Sequence, residues 1–209
     1  MTTDAVFTPT LDPVTTALLL IDVQRYVLDP SNHPPRPEFD ARARDVVLPN
    51  MARLLEAARG SGVEVIYTVM GSLTRDGRDR SLDYKLSGFE IVADTPAAAV
   101  VPEVAPVGDE IVLPKTSANL FNSTPFAYVL RNMGIRTVLC TGFLTDQCVE
   151  QTMKAGPGEG FAMVGIPDAC AANTDIRHTL ALARFASFGA QWETAAILRA
   201  LAAQTCTGA

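Results

Sequence analysis

A chain of 209 residues, 48% hydrophobic and 19% charged, has the length of a single domain, taken as residues 1–209, and can bury a sizeable core. Its formal net charge of −6 argues against nucleic acid as a partner, because phosphate-backbone binding needs clustered lysine and arginine. The longest apolar run near the start, residues 17–21, is too short for a membrane span or a secretory leader, so a cytoplasmic protein with no membrane partner is expected.

In chain order, TALLLID (16–22), VEVIYTV (63–69), EIVLP (110–114), RTVLCT (136–141) and FAMVGI (161–166) are short, apolar and rich in β-branched residues. Strands buried on both faces of a sheet have this pattern. AQWE (190–193) is a candidate for a short sixth strand. Helical spacing appears between them, over 45–61, 123–134, 145–155, 175–187 and 194–203. Ser123 or Thr124 can cap the second of these helices, Pro125 sits near its first position and Gly134 ends it. Strands alternating with helices imply an α/β fold, a mainly parallel sheet of about six strands with helices on both faces. Residues 70–90 break the alternation. They are polar, carry both signs of charge and lack a period, so they form either a functional excursion or an insertion.

Four cysteines are present, Cys140, Cys148, Cys170 and Cys206, and none forms a C-x-x-C pair. Reduced thiols are expected in a cytoplasmic setting. With only His33 and His178, no zinc-ligand spacing appears, and no metal is expected. His33 lies in the proline-rich SNHPPRP, and His178 reads as a surface or capping residue of a helix. No G-x-G-x-x-G or P-loop pattern is present, so no nucleotide cofactor, and no other cofactor, is expected.

In open parallel sheets, ligands sit outside the carboxyl ends of the strands. Asp22, Lys115 and Cys148 each follow a strand, so the topology gathers them on one rim. Taken singly, each has an ordinary alternative: a core thiol, a structural carboxylate, a solvated ammonium. Together they suit nucleophilic catalysis. A helix N-terminus and a nearby cation lower a thiol's pKa, so Thr145 as N-cap and Lys115 as the cation would favour the Cys148 thiolate. Asp22 would carry the proton to a leaving amine, and N–H groups of the first turn would receive an oxyanion. Gly142 lets the chain turn after its strand.

These three segments, ALLLIDVQ, IVLPKTSANLFNST and CTGFLTDQCVEQTM, resemble those of the isochorismatase-like cysteine hydrolases, and the likeness runs from about Ala17 to Cys170. The resemblance implies a three-layer α/β/α fold and an Asp22–Lys115–Cys148 triad. It implies attack of the cysteine on an amide carbonyl, release of ammonia, and hydrolysis of the thioester by water. It also implies an oxyanion hole from the backbone N–H groups of Leu144 and Cys148, with a cis peptide at Phe143–Leu144. The histidines with which nicotinamidases of that group bind a metal have no counterpart after the second strand. True isochorismatases, which cleave a vinyl ether, generally lack the cysteine, so Cys148 favours C–N hydrolysis of a small carboxamide or ureide. A vinyl-ether hydrolase and a non-catalytic small-molecule-binding member of the fold remain the alternatives. Gln24, Tyr26, Phe121 and Phe143 flank the triad as candidate substrate-binding residues, and Arg78, Arg80, Tyr84 and Lys85 are placed to fold over it. A homodimer or homotetramer is expected by the same resemblance.

Overall fold

The computed structural model describes residues 11–205, so Cys206 lies outside the described residues. Six strands form one sheet: β1 (Thr16–Ile21), β2 (Glu64–Met70), β3 (Ile111–Lys115), β4 (Thr137–Phe143), β5 (Ala162–Ala171) and β6 (Ala190–Gln191). The order is β3-β2-β1-β4-β5-β6, and every neighbouring pair is parallel. Every residue of β1 and β4 is buried, which is why these central strands read as unbroken apolar runs. Helices Leu48–Ser61 and Thr194–Thr205 pack together on one face, and Glu150–Ala155 and Asp175–Phe185 on the other, giving three layers.

Several boundaries differ from the sequence pattern. The helix expected at 45 is already helical from Pro37, and passes through a π turn at Ala43–Val47. β5 continues through Pro167 and Asp168 to Ala171, beyond the end expected at 166, because pairing with β4 resumes after a register shift between Cys140 and Gly142. The irregular region contains a short helix, Leu82–Leu86, and is closed at its base by a bridge between Ser72 and Val92.

β1 and β4 are neighbours at which the chain's winding reverses, so their carboxyl ends border a crevice. Two backbone features shape its floor. Asp22, directly after β1, adopts φ 57°, a left-handed conformation that aspartate tolerates better than most residues. Gly142, at φ 123°, pairs with Ile21, and a Cβ there would run into the Ile21 backbone. Gly142→Ala is therefore expected to cost about 1–3 kcal/mol in a denaturant titration and to displace Asp22. An alanine variant with wild-type stability would show that β1 and β4 do not need this close approach.

Candidate active site

The last residue of β3, Lys115, is wholly buried, as is Asp22. Burying an ion costs several kcal/mol unless it is paired and hydrogen-bonded, and here both conditions are met. Lys115 Nζ lies 2.9 Å from Asp22 Oδ2, an ion-pair contact. Its three hydrogens have separate acceptors: Tyr84 Oη at 3.0 Å, the Ser117 carbonyl at 3.1 Å and Cys148 Sγ at 3.3 Å. Asp22 Oδ1 accepts from Thr68 Oγ1 at 3.3 Å, whereas Oδ2 has no aligned donor and keeps a lone pair for a proton. The structure thus brings Asp22, Lys115 and Cys148 together.

Cys148 sits in a π turn, Thr145–Val149, that runs into helix Glu150–Ala155. Single π turns inside helices recur at functional sites. The Leu144 carbonyl accepts from the N–H groups of Gln147 at 3.0 Å and Val149 at 3.3 Å, passing over that of Cys148. The Phe143–Leu144 peptide is cis. Thr145 does not cap the turn as expected. The N-cap is Leu144, and Thr145 Oγ1 lies 2.8 Å from His178 Nδ1 in the protein interior. His178 is correspondingly buried rather than a surface residue, and burial holds it neutral, down to about 4.

The charge states also differ from expectation. Burial pushes the Cys148 thiol up to about 12, Lys115 opposing and Asp22 adding to the rise, so the cation does not yield a resting thiolate. Burial raises Asp22, with Lys115 opposing. Burial alone would lower Lys115, but Asp22, Cys148 and Tyr84 together lift it well above its ordinary value. At rest Lys115 is an ammonium and Cys148 a neutral thiol, and the 2.9 Å contact makes Asp22 the ammonium's counter-ion. Cys140 and Cys170 are also buried and raised, but among the described residues no cation hydrogen-bonds their sulfurs, and Cys170 Sγ points to the Cys140 carbonyl at 3.9 Å.

A cavity of about 600 Å³ opens onto Cys148, and Tyr26, Tyr84, Phe143 and Leu144 line it. Other candidates lie elsewhere. The Gln24 amide is wholly buried, donating to the Met70 and Ala98 carbonyls and accepting from Met70 N–H, so it ties β2 to the 97–101 segment. Phe121 packs against Phe126 and Phe161, away from the cavity. Arg78 is exposed and paired with Asp76. Arg80 bonds the Phe89 carbonyl and Glu90, and Lys85 bonds the Arg78 carbonyl, so these cations stabilise the excursion itself. Its contribution to the site is Tyr84, buried by the Leu82–Leu86 helix against Lys115. Arg36 and Asn173, which the sequence did not single out, line the cavity. A lone arginine between prolines carries no pattern that separates it from a surface residue.

A family model described as the isochorismatase domain matches residues 16–197. A ureidoacrylate amidohydrolase, RutB, of Methylobacterium radiotolerans is 29% identical over 195 residues, covering 85% of this chain and 76% of that protein. An isochorismatase family protein from Desulfovibrio vulgaris superimposes with a TM-score of 0.78 at 27% identity, over 90% of this chain and 98% of the other. A cysteine hydrolase from Pseudomonas syringae pv. phaseolicola gives 0.84 at 22% identity, over 97% of this chain and 99% of the other. N-carbamoylsarcosine amidase from Thermoplasma acidophilum gives 0.70 at 20% identity, over 86% and 96%. These last two likenesses concern the fold alone.

Tyr84→Phe removes one of the acceptors of a buried ammonium. It is expected to destabilise the protein by about 1–3 kcal/mol and to slow alkylation of Cys148 by iodoacetamide, as Lys115 loses its fixed position. Unchanged stability and alkylation would show that Lys115 needs no third acceptor.

Proposed function

The chain belongs to the isochorismatase family, and from that premise we propose that it is a cysteine-dependent amidohydrolase that cleaves a C–N bond of a small carboxamide or ureide. The observation that carries this reading is the contact of one buried ammonium with both a carboxylate, at 2.9 Å, and a cavity-facing thiol, at 3.3 Å. The relative named for ureidoacrylate supports an amide or ureide as substrate.

Asp22 acts as the base. Its negative charge adds to the rise of the thiol's pKa at rest, and its Oδ2, without an aligned donor, is open to the proton. As the sulfur attacks the carbonyl carbon, the S–H proton passes to Asp22, and Lys115 stabilises the charge that develops on sulfur. The carbonyl oxygen, now an oxyanion, is received by the N–H groups of Leu144 and Cys148. Asp22 then returns the proton to the leaving nitrogen, the C–N bond breaks, and ammonia departs from a thioester on Cys148. Water gives a proton to Asp22 and attacks the thioester. The proton goes back to sulfur, and the acid product leaves. Tyr26, Tyr84 and Phe143 shape the cavity around the substrate. The neutral thiol at rest also protects the site, since only a bound carbonyl draws the proton across.

Ammonia release from a panel of ureides and carboxamides should fall at least about a hundredfold in Cys148→Ala and in Asp22→Asn. Because Asp22 must be ionised to act as the base, kcat/KM should fall with decreasing pH along a limb above the ordinary aspartate value of 3.8. Lys115, raised well above 10.5, should produce no loss on the alkaline side below that pH. Turnover that survives Cys148→Ala would point instead to vinyl-ether chemistry and would sink the thiol mechanism.

A further inference from the structure

Of the residues lining the cavity, only Arg36 and Asp83 carry a formal charge at neutral pH. Asp83 is exposed, whereas Arg36 is half-buried. The Arg36 guanidinium carbon lies 4.1 Å from the centroid of the Phe39 ring. Nη2 donates to the Val27 carbonyl at 2.6 Å and Nη1 to Asn173 Oδ1 at 3.4 Å. Pro34, Pro35 and Pro37 surround it in sequence and restrict the backbone that carries it. Arginine is held on all sides here, yet among the described residues it forms no ion pair.

An arginine normally offers five N–H donors, and its bonds within the described residues use two of them. Asn173 spends its amide oxygen on Arg36, which turns its NH₂ group into the free end. His33, on the same wall, adds no charge. Its Nε2 lies 2.9 Å from the Tyr26 carbonyl, so Nε2 carries the proton and Nδ1 is an acceptor, and burial lowers it below its ordinary value. Asp40, on the helix that follows Arg36, acts on it through charge without touching it. Burial lowers the guanidinium below its ordinary value, as expected of a cation partly stripped of water and short of a counter-ion.

We propose that Arg36 and Asn173 form a carboxylate subsite in the cavity, so that the preferred substrates carry a carboxylate remote from the C–N bond that Cys148 attacks. This rests on the amidohydrolase reading for the identity of the other end of the substrate. A planar guanidinium with free donors matches a carboxylate in shape as well as charge.

Binding on Cys148→Ala protein separates recognition from turnover. In isothermal titration, succinamate, a carboxamide with a carboxylate, should bind about tenfold or more tightly than the neutral succinamide. Adding Arg36→Gln should erase that preference, weakening succinamate about tenfold or more relative to succinamide. Arg36→Lys, which keeps the charge and loses the fork, should fall between the two, and it reports on the subsite should the glutamine variant fail to fold. Equal affinity for the two ligands, a preference that persists in Arg36→Gln, or no binding of either would overturn the subsite. Selective binding without ammonia release from any amide would sink the reaction and leave the subsite standing; ammonia release without selectivity would do the reverse.

Discussion

Everything at this site depends on a lysine ammonium kept out of water. Lys115 is wholly buried, and an isolated ion in such a place would surrender its proton. It keeps the proton because Asp22 supplies the opposite charge and because Tyr84, Ser117 and Cys148 each take one of its hydrogens. Replacing a buried ion pair by apolar residues of similar size is often neutral or stabilising, so stability alone does not account for this arrangement. The proposed chemistry would: the ammonium holds a carboxylate and a thiol at one point and leaves Asp22 Oδ2 without an aligned donor.

The fold supplies the precision. Asp22 and Cys148 follow β1 and β4, the two strands between which the strand order reverses, and Lys115 ends β3 on the same rim. Gly142 lets β4 approach the end of β1 closely enough for the two loops to meet. The excursion after β2 is tied down by its own charges and by its Ser72–Val92 base, and it places Tyr84 over the ammonium. Gln24, buried and fully bonded, anchors the adjoining segment to β2. The cavity walls are thus set by main-chain and buried polar contacts, and the loops bearing Arg36 and Asn173 complete them.

Much of this is readable from the residues alone, and for a physical reason. A strand covered on both faces must be apolar along its whole length, so β1 and β4 announce themselves, and a charged residue directly after such a run marks the rim. That is how Asp22, Lys115 and Cys148 come together on paper. What cannot be read locally depends on tertiary burial. Thr145 has the chemistry of an N-cap, yet His178, thirty-three positions on, takes its hydroxyl. The π turn follows no composition rule. Phe121 sits near Lys115 in sequence but turns towards Phe126 and Phe161. The thiol's pKa is a contest between desolvation and a single cation, and only the extent of burial decides that desolvation wins.

The central claim is that the resting site holds an ammonium, a carboxylate and a neutral thiol, with the proton crossing only on attack. It is tested most directly by the ultraviolet absorbance of the thiolate, taken as the difference between wild-type protein and Cys148→Ala across a pH titration. The account predicts no thiolate signal from Cys148 at neutral pH, with the signal rising only well into the alkaline range, towards about 12. A full thiolate signal already present at neutral pH would contradict it, and would mean that Lys115 holds the sulfur as a preformed anion.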